Sequence, residues 1–219
     1  MRLRGKLLRE TVSSDIATLV PDDVPESVEL DYKEKLPGEP GSERREFARD
    51  VAAMANTSGG VLLYGIAERV EDGKKTGLPE KIVGVGEIVP DHELRRLEQV
   101  IREQTDPRLT GCDVRAFSLP SGEIVVGVGV PRSLLAPHAV AGAYYRRGGT
   151  SNYCVPTLEL RQMFLERDAW DQEALKFRDE RINRVRARLA VPNLDTRGSF
   201  FLHVLPLGRL RDIPLCQHA

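Results

Sequence analysis

Between Phe47 and Ile66 the chain has few ways to fold. Phe47, Val51 and Met54 recur at helical spacing, with Ala48, Ala52 and Ala55 beside them, which is the stripe of an amphipathic helix. Ser42, followed by Glu43 in the first turn, reads as its N-cap. Asn56-Thr57-Ser58-Gly59-Gly60 closes the helix with cap and turn residues, and Val61-Leu62-Leu63-Tyr64-Gly65-Ile66 follows as an unbroken apolar run. A run without alternation belongs to a central strand covered on both faces.

Around this unit the pattern is mixed. Leu3 to Val20 has a helix-like scatter of apolar residues, which predicts an N-terminal helical segment over residues 1–20. Ser27 to Lys33 alternates strictly, placing Val28, Leu30 and Tyr32 on one face of a strand and Glu29, Asp31 and Lys33 on the other. Arg69 to Leu78 reads as a polar loop before a short strand at Lys81 to Val85. A helix after Asp91 carries Leu94, Leu97 and Ile101. The segments Asp113 to Leu119 and Glu123 to Val130 form a hairpin across Pro120-Ser121-Gly122, and His138 to Arg146 is a further strand. Thr157 caps a helix to about Arg167, and a basic helix runs from Trp170 to Leu189; residues 197–219 resemble the start of another strand. The expected fold class is mixed α/β, a sandwich of a mixed sheet with packed helices followed by a long C-terminal helix.

Composition narrows the function classes. The 219 residues carry 32 Lys+Arg against 33 Asp+Glu, a net charge of −1, so any nucleic-acid surface must arise from local charge. No run approaches the roughly 18 apolar residues of a membrane span, and no signal-peptide pattern opens the chain. Three scattered cysteines fit neither a disulfide scaffold nor a zinc cluster; the expected location is the cytoplasm. Gly73-Lys74-Lys75-Thr76 echoes a phosphate-binding loop, but Glu68 stands where the first glycine of that motif belongs. No serine sits in a nucleophile elbow, and the four histidines show no ligand spacing.

Three features could carry chemistry. Asp31 and Lys33 share a strand face, Glu26 lies five positions upstream, and Glu68 follows the buried strand. If the two strands are neighbours, Glu26, Asp31 and Glu68 converge, and a hard-oxygen donor set without His or Cys selects Mg²⁺ or Mn²⁺. The metal would polarise a phosphoryl oxygen, with Lys33 beside it. Second, Tyr145-Arg146-Arg147-Gly148-Gly149-Thr150-Ser151-Asn152 offers arginines, hydroxyls and an amide in a stretch without Asp or Glu; these could hold phosphates while Tyr145 stacks on a base. Third, Lys176, Arg178, Arg181, Arg184, Arg186 and Arg188 outnumber Asp179 and Glu180, so Arg181 and Arg184 are further candidates for backbone contact. The alternating charges from Glu43 to Asp50 read as ordinary helix surface.

Taken together, Glu26-Ser27 with Glu29-Leu30-Asp31-Tyr32-Lys33, Ala55-Asn56-Thr57-Ser58-Gly59-Gly60, and Tyr145 to Asn152 resemble the Schlafen AlbA-type domain. The likeness predicts such a domain over residues 21–168, followed by a basic helix or linker over 169–196 and a tail over 197–219. It implies a fold related to the Alba nucleic-acid-binding proteins and, by analogy with animal Schlafens, an Mg²⁺- or Mn²⁺-dependent endoribonuclease acting on tRNA-like RNA. Its three carboxylates fall on Glu26, Asp31 and Glu68. Asp replaces Glu at 31 and Glu replaces Asp at 68. The alternative is a non-catalytic DNA- or RNA-binding regulatory module; ATP binding is a weaker third reading. A homo-oligomer or a partner in phage defence is the expected company, with no membrane.

Overall fold

The computed structural model describes residues 1–38 and 41–187. The chain divides into two units, Met1–Met163 and Phe164–Ala219. The first unit is built on a four-stranded sheet of β3 (Leu30–Lys33), β4 (Gly59–Tyr64), β8 (Ile124–Pro131) and β7 (Asp113–Ser118), in that order. Strand β3 is parallel to β4, and the other two pairings are antiparallel. The parallel pair is joined by helix α2 (Gly41–Ala55), so the stretch from Leu30 to Tyr64 is a βαβ crossover. Every residue of β4 is buried, as its unbroken apolar run predicts.

The sheet is covered on both faces. Phe47, Val51 and Met54 of α2 pack with Leu97, Val100 and Ile101 of α3 (Pro90–Gln104) against Leu62 and Tyr64. On the opposite face Leu3, Leu8, Ile16 and Leu19 cover Leu30, Tyr32, Val61 and Leu63. A third layer lies along the flank of α2, where Ala48 and Ala52 meet Val140 and Tyr145. These last two belong to a small sheet of β9 (Ala139–Val140), β10 (Ala143–Gly148) and β11 (Ser151–Cys154). The remaining strands form two hairpins, β1 (Arg2–Leu3) with β2 (Lys6–Leu7) and β5 (Ile66–Glu71) with β6 (Lys74–Ile82). Gly60 lets β4 pass the turn before β3, since a Cβ there would stand 2.6 Å from the Glu29 carbonyl oxygen.

Several expectations are corrected, and three share one cause. Arg4-Gly5, Asp72-Gly73 and Ala141-Gly142 each have both φ angles positive and each links strands across a two-residue loop, as tight hairpins require. The predicted N-terminal helix is therefore a hairpin, a short 3₁₀ turn and the one-turn helix α1 (Ser13–Ala17). The predicted polar loop Arg69 to Leu78 is the tip of the β5–β6 hairpin, and the predicted strand His138 to Arg146 is broken into β9 and β10. The first alternating strand is shorter than its pattern, beginning at Leu30. Val89, not Asp91, caps α3, with Pro90 in its first turn.

Helix α4 (Thr157–Arg186) is continuous where two helices were expected. In its second-unit part Leu175 and Ile182 are exposed. The segment 197–219 lies outside the described residues. Among the described residues no helix is long and apolar enough to cross a membrane.

Candidate nucleic-acid site

The parallel pairing of β3 with β4, which runs on into β5, brings three predicted acids to one place. Glu26, Asp31, Lys33 and Glu68 line a cleft of about 260 Å³ together with Lys75, Thr76, Gly77 and Thr150. Its floor is β3; the β5–β6 hairpin forms one wall, and Thr150, in the β10–β11 turn, stands on the other. Glu68 sits at an irregularity in the β5–β6 register, and such bulges re-aim a side chain.

The inner half of the cleft is a closed charge network. Asp31 is buried, with Arg147 Nη1 donating to its Oδ1 at 3.0 Å. The other oxygen lies 3.0 Å from the Lys33 ammonium, which also stands 3.6 Å from Asp50 Oδ2. Arg147 Nη2 donates to the Ser27 carbonyl, and the Arg147 backbone N–H donates to Thr57 Oγ1. The Asp31 and Arg147 side chains are 4% and 1% exposed. At that depth, removing one partner leaves an uncompensated charge and costs about 3–5 kcal/mol.

Asp50 is the residue the sequence reading missed. The alternation of charges from Glu43 to Asp50 groups it with the helix surface, yet it lies three residues after Phe47 and four before Met54, within the apolar stripe of α2. Burial there pushes its carboxyl up to about 6, against the pull of Lys33; the charges of Asp31 and Glu46 push the same way. Asn152 Nδ2 donates to its Oδ1 at 2.6 Å. Burial lowers the Lys33 pKa, but Asp50 and Asp31 outweigh it and hold the ammonium above its usual value.

Asn56, from the cap run, works nearby. Its amide donates to the His138 and Tyr145 carbonyls and accepts the His138 N–H. It thereby fastens the end of α2 to the small sheet.

The outer half is looser. Glu26 Oε1 accepts the Tyr32 N–H at 2.7 Å, and burial raises its pKa, with Asp31 and Glu68 adding to the rise. Glu68 Oε1 accepts the Gly77 N–H at 2.8 Å, and its Oε2 lies 2.9 Å from the Lys75 ammonium. The Lys75 side chain is 71% exposed and the Glu68 side chain 8% exposed, so water screens the pair from the lysine side alone.

The remaining predicted nucleic-acid residues separate by exposure. Arg146 is half-buried and paired with Glu159 at 2.7 Å, and the Tyr145 ring lies under the Arg49 guanidinium. Thr150 and Ser151 are exposed at the β10–β11 turn, while Asn152 serves Asp50. Arg147 faces inward, so its guanidinium holds the network and does not reach solvent. Arg181 and Arg184 stand on α4 in the second unit.

The expected three-carboxylate metal set does not fit this arrangement. Asp31 has Arg147 on one oxygen and Lys33 on the other, and Glu68 is held by Lys75 and a backbone N–H. Among the described residues no group of three His, Cys, Asp or Glu is placed to hold a metal ion.

A mixed sheet with a βαβ crossover, carrying a charged cleft between two hairpins, defines an α+β domain of the kind the motifs implied. The Schlafen AlbA_2 family model matches residues 26–155, and the chain belongs to that family. The family associates the chain with nucleic acid. Similar solved structures include the DIP2311 protein of Corynebacterium diphtheriae, at 24% identity and a TM-score of 0.44, with 67% of this chain and 27% of that one covered. Another is the N-terminal domain of a RecG-related protein from Nitrosomonas europaea, at 23% identity and a TM-score of 0.42, covering 67% of this chain and 95% of that one. No curated protein matches the chain.

Proposed function

We propose that the protein binds nucleic acid at the cleft between the β5–β6 hairpin and the β10–β11 turn, and that it acts there as a binding module. The observation that carries this reading is the Arg147–Asp31 pair, which commits the central carboxylate to the fold. What faces outward suits a phosphate backbone: the exposed Lys75 ammonium and the Thr150 and Ser151 hydroxyls. RNA is favoured over DNA, on the resemblance to the animal Schlafens.

The test is a fluorescence-polarisation titration of the full chain with single-stranded and hairpin RNA and DNA in EDTA. Binding should weaken steeply with salt, by a log–log slope of about −0.7 for each single-strand phosphate neutralised. Absence of binding at low salt would refute the reading.

A second reading, divalent-metal-dependent hydrolysis, is favoured by one fact: Glu26, Asp31, Lys33 and Glu68 line the same cleft. It needs Asp31 to leave Arg147. Incubating the same RNAs with Mn²⁺ separates the two readings. Cleavage that depends on Mn²⁺ and is lost in a folded Asp31→Asn variant would establish the second; intact RNA supports the first.

A further inference from the structure

The β6 segment Lys75-Thr76-Gly77 grips an oxyanion, and the oxyanion it grips is the protein's own. One oxygen of Glu68 takes the Gly77 N–H at 2.8 Å and the other meets the Lys75 ammonium at 2.9 Å. A backbone N–H and an ammonium converging on two oxygens of one group would hold a phosphate equally well. Thr150 also lines the cleft, its methyl lying 4.0 Å from the Cβ position of Gly77.

We propose that this is a seat for a phosphate group of a nucleic-acid strand, and that Glu68 occupies it in the free protein. The inference rests on the reading that the cleft binds nucleic acid, and it adds the contact atoms and a built-in competitor.

The two halves of the cleft differ in what an incoming anion can displace. Arg147 is sealed beside Asp31 and makes two further contacts, so a phosphate gains no access to it. Lys75 is open to solvent at 71% exposure, although the Glu68 side chain it meets is 8% exposed, so the ammonium is the partner free to turn to an incoming anion. Glu68 itself sits at the register irregularity of β5, which aims its side chain into the cleft. The other charges facing the seat are Glu26, tied to the Tyr32 N–H, and Lys33, shared between Asp31 and Asp50. Glu26 repels an anion and Lys33 attracts one, so Glu68 is the charge that decides occupancy.

The experiment measures affinity of the full chain for one single-stranded RNA, carrying either a 5′-phosphate or a 5′-hydroxyl, in EDTA. Glu68→Gln removes the competing charge and should tighten binding about three- to tenfold, while Lys75→Ala should weaken it by a similar factor. Equal gains for the two RNA ends identify a backbone diester as the occupant, and a larger gain for the phosphorylated end identifies a terminal monoester; both support the seat. A folded Glu68→Gln variant that binds no tighter overturns it, even if the wild type binds well and the broader reading stands. No binding by either protein overturns both.

A second readout does not depend on the variant folding. The Gly77 amide resonance of the wild type should move on titration with the RNA in EDTA, and an unmoved resonance at saturation overturns the seat.

Discussion

The inner and outer halves of the cleft carry the same kinds of residue and use them differently. Asp31 and Arg147 are an acid and a base 3.0 Å apart with almost no exposure. Glu68 and Lys75 are an acid and a base 2.9 Å apart with the lysine largely in water. In the first pair desolvation makes separation expensive, so the charges act as structure. In the second, the Glu68 side chain is 8% exposed and only the lysine stands in water, so the ammonium can leave and the pair can open from that side. Proximity of opposite charges says little about role until burial is known.

The largest expected effect tests the inner half. Arg147→Met should lower unfolding free energy by about 3 kcal/mol, because buried Asp31 would lose its buried partner and keep only Lys33. The double variant Asp31→Leu with Arg147→Met should lose less than Arg147→Met alone. Urea unfolding of the wild type, Asp31→Leu, Arg147→Met and the double variant decides the matter, and additive losses would show that the two side chains are not coupled.

The next effect is pH-dependent and belongs to Asp50. Its folded pKa, raised to about 6 by burial, lies above its ordinary value of 3.8. Between those values the folded state holds a proton that the unfolded state has lost, so this group's contribution to stability falls as pH rises from about 4 through about 6. The full contribution is on the order of 3 kcal/mol. Asp50→Asn should flatten the stability profile across that window. An Asp50→Asn protein with the wild-type profile would mean that the carboxyl titrates normally.

The smallest effects belong to the outer half. Lys75→Ala should change stability by no more than about 1 kcal/mol, since the lysine is mostly in water and Glu68 keeps the Gly77 N–H, while lowering RNA affinity at low salt. Destabilisation as large as that of Arg147→Met would erase the distinction between the halves.

Much of this site can be read from sequence because its scaffold is set by local periodicity. The helix stripe Phe47–Val51–Met54 and the apolar run Val61–Tyr64 could be buried in only one way each, and they gave α2 and β4. The alternation Leu30–Asp31–Tyr32–Lys33 correctly assigned the faces of β3, since side chains on a strand must alternate. The hairpins were harder, because Arg4-Gly5, Asp72-Gly73 and Ala141-Gly142 are short signals set among residues that also suit helices or loops.

Periodicity tells which face a residue is on; it does not tell what covers that face. Local sequence therefore determined that Asp31 and Lys33 point the same way and that Glu68 leaves the central strand. Tertiary structure alone decided that Arg147, 116 residues further along, would close over Asp31, that Asp50 would sit among apolar side chains beside Lys33, and that the Gly77 N–H would meet Glu68. The first two outcomes depend on desolvation by segments brought together by the fold, the third on the pairing of the β5–β6 hairpin, and the energy of a charge is set by such neighbours more than by its own side chain.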